Sequence, residues 1–388
     1  MESMQERQLC ICMVSVEYKK LGDIATYING YAFKPEQRGS EGLPIIRIQD
    51  LTGNAYDLGY YNGDYPKKVE LNDGDVLISW SASLGVYLWN HGKALLNQHI
   101  FKVVFDKVEI DKFYFMYAVE YNLDKMSLKT HGATMKHITK KDFDNVVIPY
   151  PDLDYQKEVA YRLTSLKGII EKYQKQLDLL DELVKARFVE MFGDLRINDK
   201  GWKYYKLDEL TELITDGEHA TPKRTTQGIY LLSARNVLNH QLSLEDVDFI
   251  DCDEFDRISR RIIPKEGDVL ISCSGSIGRC CIVPKNIKFQ MVRSIALLRF
   301  KSNINPVFAE YMITSDYLQN QINKSKTASS QANLFQGKIK SLKGVVPPLE
   351  LQNQFASFVQ EIDKSRLREL LAIKQIKLLL NDSWLLLY

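Results

Sequence analysis

The sequence predicts an α+β protein: two similar globular domains joined by two long helices that pair as an antiparallel coiled coil, the halves related by a pseudo-twofold. Three observations predict it. A long stretch without proline carries an apolar seam at coiled-coil spacing, a second such stretch closes the chain, and the hexapeptide GDVLIS occurs twice within a repeated order of elements. The expected boundaries are 1–150 for the first domain, 151–195 for the first long helix, 196–349 for the second domain and 350–388 for the second helix.

The first long helix is expected over Tyr155–Phe192. Val159, Leu163, Leu166, Ile170, Tyr173, Leu177, Leu180 and Val184 follow one another at alternating steps of four and three, the spacing that keeps one seam turned toward a partner helix. At ~1.5 Å per residue the run would be roughly 55 Å long, wider than an ordinary domain. The second helix, from Leu351, carries Phe355, Val359, Ile362, Leu370, Ile373, Ile376, Leu380, Trp384 and Leu387, with Arg366 interrupting the stripe. Two helices packed separately, each on its own domain, are the competing arrangement.

The elements before each helix occur in one order, twice. Tyr18–Ile24 is echoed by Tyr205–Leu210, and the apolar run Ile45–Leu51 by Tyr230–Val237. GDVLIS stands at Gly74–Ser79 and at Gly267–Ser272, each followed by a small-residue loop, Trp80–Gly85 and Cys273–Arg279. Gly-Asp supplies a turn and Val-Leu-Ile a buried strand, so the hexapeptide reads as framework. Asn97–Phe105 and Val292–Phe300 read as strands, and Asp111–Met126 and Asn305–Ser325 as helices, Pro306 suiting a first turn. Val146–Leu153 and Val345–Leu349 give each unit a proline-bearing exit, after which Gln156 and Gln352 open the long helices. Two like units that associate tend toward a twofold, which makes the helices antiparallel and places the domains at opposite ends of a rod.

Composition narrows the function classes. A hydrophobic content of 45% with 26% charged residues is that of a water-soluble fold, and no apolar run reaches bilayer length. The net charge of +1 neither demands nor excludes a nucleic-acid partner. Regionally, residues 17–150 carry 16 Lys and Arg against 17 Asp and Glu, and residues 201–346 carry 20 against 16, so the second region is mildly basic. Cys10, Cys12, Cys252, Cys273, Cys280 and Cys281 form no CxxC pair and have no histidine at ligand spacing. They read as reduced thiols of a cytoplasmic protein without structural zinc.

No catalytic signature appears. There is no GxxxxGK[ST] phosphate loop, HExxH zinc site or GxSxG elbow, and no Asn/Asp-Pro-Pro-aromatic tetrapeptide of an amino-methyltransferase. His91, His99, His131, His137, His219 and His240 are scattered. The backbone N–H groups of the Ser274–Arg279 loop are expected to be open to a phosphate of DNA.

In this order of repeated elements the chain resembles, over nearly its whole length, the specificity (S, HsdS-type) subunit of Type I restriction–modification systems. The residues that carry the resemblance are the two GDVLIS copies, the small serine-glycine loop after each, and the P-x-L-x-x-Q approaches at Pro151–Gln156 and Pro347–Gln352. The resemblance implies two target-recognition domains, each reading one half of a bipartite, asymmetric sequence in double-stranded DNA, with the helix pair setting the spacer. It also implies two methyltransferase (M) subunits along the helices, restriction (R) subunits in the full complex, and no cofactor, metal, membrane or catalysis belonging to the chain itself. The apolar end Leu385–Tyr388 is either clipped or in need of a partner to cover it.

Duplex DNA is read at base edges and held at phosphates by Arg, Lys, Asn, Gln, Ser and Thr. The expected DNA-binding residues of the first domain are Lys34, Arg38, Arg47, Gln49, Trp80, Ser81, Ser83, Gln98, His131, Thr134 and Lys136. Those of the second are His219, Lys223, Arg224, Arg235, Asn236, Arg260, Arg261, Ser274, Ser276, Arg279, Arg293, Ser330, Gln331 and Asn333. The rival readings are an enzyme with an unrecognised site, and a duplicated protein-interaction scaffold that does not bind DNA.

Overall fold

A computed structural model describes residues 16–54, 57–129, 139–325 and 333–385. The chain divides into two compact units, Met1–Tyr173 with Ala372–Tyr388, and Gln174–Leu371. Each unit thus holds one globular body and part of both long helices.

The first body is built on a four-stranded antiparallel sheet in which Thr26–Asn29, Ile100–Val104, Val76–Ser79 and Gly85–Leu88 lie side by side in that order. The second repeats it with Thr211–Asp216, Ile295–Phe300, Val269–Ser272 and Cys280–Ile282. Beside each lies a smaller sheet around a parallel pair, Leu43–Ile46 with Ala94–Leu96 and Ile229–Leu232 with Phe289–Met291. A short antiparallel pair then joins the start of each body to its exit, Glu17–Lys20 with Val147–Tyr150 and Tyr204–Lys206 with Lys343–Val345.

The hexapeptide is framework in both copies. Gly74 and Gly267 sit at φ +88° and +82°, where a side chain is strained, and make the turn into the strand. The aspartate that follows accepts from the backbone N–H of Asn72 or Lys265 (2.8 Å each) and pairs with a cation on the neighbouring strand, Lys102 or Arg299 (2.7 Å each). All four strand residues are buried, because the strand is covered on both faces. Val76 and Ile78 join the core under the Lys112–Lys129 helix, while Leu77 joins the core under the smaller sheet. Val269, Ile271 and Leu270 divide in the same way.

The long helices span Leu153–Phe192 and Leu349–Leu385. Gln156 and Gln352, both fully buried, staple each to its body. Gln156 accepts from the Asp111 N–H (2.9 Å) and donates to the Pro151 carbonyl (2.8 Å). Gln352 accepts from the Asn305 N–H (2.8 Å) and donates to the Pro347 carbonyl (2.8 Å).

Within the second unit the two helices run antiparallel and in contact: Asp181 pairs with Arg366, and Phe188 packs edge-on against Phe355 at 5.4 Å. Within the first unit Leu380 and Val159 both pack against the core that includes Leu163. Burial corrects one expectation. Leu370 is half exposed and lies off the seam; the covered positions are Phe355, Val359, Ile362, Arg366, Glu369, Ile373, Ile376 and Leu380. The second seam therefore keeps the four-three spacing of the first, and it runs through two charged residues. The seam residues Trp384 and Leu387 lie outside the described side chains.

The helix expected over Asn305–Ser325 is two, Pro306–Thr314 and Asp316–Ser325. Ser315 adopts an extended conformation between them, and its hydroxyl donates to the Met312 carbonyl (2.6 Å). Asn305 caps the first of the pair, its side chain accepting from the Val307 N–H with Pro306 in the first turn. Cys252, Cys273, Cys280 and Cys281 are free thiols; Cys10 and Cys12 lie outside the described residues.

Candidate nucleic-acid interface

At the open end of each GDVLIS strand three segments meet in the same lattice. The chain leaving the first strand turns at Gly30 or Gly217, whose N–H donates to Ile100 O or Ile295 O (3.0 Å each). The next residue, Tyr31 or Glu218, donates to Leu96 O (2.9 Å) or Met291 O (2.8 Å), and its own carbonyl accepts from the N–H of Gln98 or Arg293 (3.0 Å each). Trp80 N–H then donates to His99 O (3.3 Å), and Cys273 N–H to Ser294 O (2.8 Å). Glycine is required at the turn. A Cβ on Gly30 would lie 1.9 Å from Asn97 O, and one on Gly217 would lie 2.3 Å from Met291 O. The dipeptides Asn29-Gly30 and Asp216-Gly217, each closing a strand, were the sequence signal for this crossing.

The lattice gathers part of the expected set. In the first unit Trp80 packs edge-on to His99 at 5.1 Å, with Ser81 and Gln98 next to them in the chain; Ser83 and Gln98 are exposed, and Trp80 stacks on Phe101 at 5.6 Å. In the second unit Asn333 bridges to Ser274, next to Cys273, which is tied to Ser294 beside Arg293. Arg293 leads through Glu218 to His219 and Arg261, so these form one continuous strip.

The small loops themselves are closed by the last residue of the hexapeptide. Ser79 donates to Ser83 O (2.5 Å), and Ser272 donates to Ser276 O (2.6 Å). This narrows the phosphate-cradle expectation to the first half of the loop. The N–H groups of Ile277, Gly278 and Arg279 already donate to Gly275 O (3.0 Å), Ser272 O (2.9 Å) and Ser272 Oγ (2.9 Å). The second half of the loop is closed on itself, and beside it stand the Ser274 and Ser276 hydroxyls and the Arg279 side chain.

The second unit adds a charged layer beside this strip. The Cys252–Ser259 helix, capped by the Asp251 carboxylate on the Glu254 N–H (2.8 Å), projects Arg257. Arg257 grips buried Glu254 with two bonds of 2.9 Å and lies 3.5 Å from Glu218. The Arg257 guanidinium holds the Glu254 carboxyl far below the usual range, down to about 2. Arg261 donates to Gly217 O (2.9 Å), Thr215 Oγ1 (3.2 Å) and Asp216 Oδ1 (2.7 Å); His219 shares Asp216 at 2.8 Å. Burial pushes the Asp216 carboxyl up, but Arg261 and His219 outweigh it and its pKa is lowered. Arg257, Glu218 and Ser294 went unselected in the sequence because their roles arise from contacts between remote segments.

Other expected residues have internal partners. Asn236 is buried; it accepts from Ser233 N–H (2.9 Å) and donates to Asp246 O (2.8 Å) and Ser243 O (3.2 Å), which makes it a framework residue. Arg47 is largely covered and pairs with Asp50 at 3.0 Å. Arg224 and Arg235 converge on Asp248 at 3.0 and 3.2 Å, and its carboxyl is lowered because Arg224 and Arg235 outweigh burial. Lys34, Arg38, Gln49, Lys223, Arg260 and Ser276 are exposed. His131, Thr134, Lys136, Ser330 and Gln331 lie outside the described residues. Among the described residues no group of His, Cys, Asp and Glu could hold a metal ion, and no helix is long and apolar enough to cross a membrane.

The class these features define is a duplicated reading module on a paired-helix frame, and comparison with known proteins gives it a family. The model of the Type I restriction modification DNA specificity domain matches residues 13–180 and 199–378. The chain belongs to that family. It is 24% identical over 373 residues to the Type I restriction enzyme EcoBI specificity subunit of Escherichia coli, covering 88% of this chain and 78% of that one. It is 22% identical over 369 residues to the MjaVIII specificity subunit of Methanocaldococcus jannaschii, covering 89% and 86%. The crystal structure of the S subunit of the Type I restriction–modification system of M. genitalium has the same fold, with a TM-score of 0.54 at 12% identity and 95% of each chain covered.

Proposed function

We propose that this chain is the non-catalytic DNA-reading subunit of a cytoplasmic Type I restriction–modification complex. Each globular body reads one half of a bipartite duplex target, the helices set the spacer, and methyltransferase subunits dock along them, with restriction subunits in the complete assembly. One observation carries this reading: an identical backbone lattice presents two sets of unlike side chains, Tyr31, Ser81, Ser83 and Gln98 in one body and Glu218, His219, Arg261, Ser274 and Arg293 in the other. A conserved scaffold under divergent polar loops suits readout of two different half-sites. Docking is supported by leucines left exposed on the helices, among them Leu179, Leu183, Leu367, Leu371 and Leu378.

The test is methylation sequencing of the source cell with and without the gene. Loss of a single bipartite, asymmetric methylated motif is the expected result, and an unchanged methylome overturns the reading. Duplex binding by the chain with its methyltransferase partner should also weaken steeply with salt. Binding indifferent to both salt and sequence would favour a protein-interaction scaffold instead.

A further inference from the structure

Each body passes from its parallel pair into its main sheet through a two-residue turn at the same place in the lattice, Gln98-His99 in the first and Arg293-Ser294 in the second. The turn is pinned on every side. Asn97 and Val292 donate from their N–H to Ile46 O and Leu232 O, and Gln98 and Arg293 to Tyr31 O and Glu218 O (3.0 Å each). The carbonyls of His99 and Ser294 accept from Trp80 and Cys273. His99 is held at φ +72°, a conformation that a histidine keeps only where its surroundings impose it. The Ser294 hydroxyl accepts from the Ala234 N–H (3.0 Å).

The first residue of each turn is therefore carried on fixed backbone, and its side chain is left over. Gln98 and Arg293 are exposed, and among the described residues neither side chain has a hydrogen-bond or ion-pair partner. Nearby arginines are taken: Arg257 by Glu254, Arg261 by Asp216, and Arg224 and Arg235 by Asp248. What changes between the bodies at this position separates two roles. Phosphates are alike in every half-site and call for the same donor, whereas base edges differ. Here the charge is lost and a planar fork of two hydrogen-bonding atoms is kept. A guanidinium fork matches O6 and N7 of guanine, and a carboxamide fork matches N6 and N7 of adenine, both on the major-groove edge.

We infer that the first turn residue is the matched base-reading position of the two bodies, Arg293 on a guanine of one half-site and Gln98 on an adenine of the other. The inference rests on the DNA-reading function proposed above. Its test uses the full chain assembled with its methyltransferase subunits, and duplexes in which each base pair of the methylated motif is replaced in turn. Methyl transfer is read as the ratio of cognate to substituted duplex. Arg293→Lys and Arg293→Ala should each abolish discrimination at one G·C pair, a fall of roughly 5- to 150-fold. Every other pair should stay as strongly penalised as in the wild type, and thermal unfolding should not move. Gln98→Ala should do the same at one A·T pair of the other half-site. Arg293→Lys is the decisive variant, because it keeps the charge that a phosphate needs and loses the fork that guanine needs.

Arg293→Lys or Gln98→Ala with the wild-type profile at every pair overturns the inference, as does relaxation of both in the same half-site or at pairs of the other kind. Should a variant transfer no methyl groups, competition binding of the same duplexes reads the same ratio. A wild-type complex indifferent to every replacement overturns the DNA-reading function itself, a result distinguishable because no profile then exists to relax.

Discussion

The two globular bodies share a backbone and differ in what they place on it. Between the first strand of the parallel pair and the GDVLIS strand, the first body has the short segments Tyr60–Tyr61, Lys67–Val69 and Glu70–Leu71. The second has a small hairpin, Val237–Leu238 with Gln241–Leu242, the strand Asp248–Ile250 and the arginine-bearing helix Cys252–Ser259. Around the turn the first body stacks aromatic rings, with Tyr31 edge-on to Phe33 at 4.9 Å and Phe33 to Tyr61 at 5.1 Å, while the second carries a network of ion pairs. What repeats is what must close the fold: the turn glycines, the loop-closing serines and the helix-stapling glutamines. What differs lies on the rim, where substitutions cost little stability and change what is recognised.

The comparison breaks most sharply at the turn glycines. Gly30→Ala or Gly217→Ala drives a Cβ into backbone oxygen and should cost about 3 kcal/mol or more, overpacking against atoms that cannot yield. Hydrogen exchange should show the loss confined to the body carrying the change; equal loosening of both bodies would refute their independence. Gln156→Ala and Gln352→Ala should each cost about 1–3 kcal/mol, because each leaves a buried N–H and a buried carbonyl unpaired. Similar values at the two positions would support equivalence of the staples, and a several-fold disparity would break it.

The rim should behave in the opposite way. Arg261→Ala is expected to weaken use of the second half-site, lower the salt dependence of duplex binding by about one ion, and leave discrimination at the first half-site intact. Binding curves against mismatched half-sites check this. Acid should separate the bodies most gently. A carboxyl depressed in the folded state adds stability that is present above its unfolded pKa and is lost as pH falls through the folded value. Glu254, held at about 2 by Arg257, with Asp216 and Asp248 also lowered, should make the second body's rim loosen between pH ~4.5 and ~2. Trp80 and Trp89 of the first body and Trp202 of the second allow the two to be followed by single-tryptophan fluorescence.

Much of this was legible in the sequence because the repeat is local. The hexapeptide, the P-x-L-x-x-Q approaches and the four-three seam each declare an element within a few residues, and shared order declares the duplication. Nearest-neighbour spacing could not place Leu370, since leucines at 367, 370 and 371 all fit an apolar stripe and only packing turns them outward. Nor could it find Arg257 beside Glu218 or Arg261 on Gly217, contacts made across 39 and 44 residues. The sequence by itself determined the two bodies, the paired helices and the family, all of which follow from periodicity and repetition along the chain. The tertiary structure alone decided which polar side chains face inward, as Asn236 does, and which charge sits in the seam, as Arg366 does, because burial and partner choice depend on segments far apart in the chain.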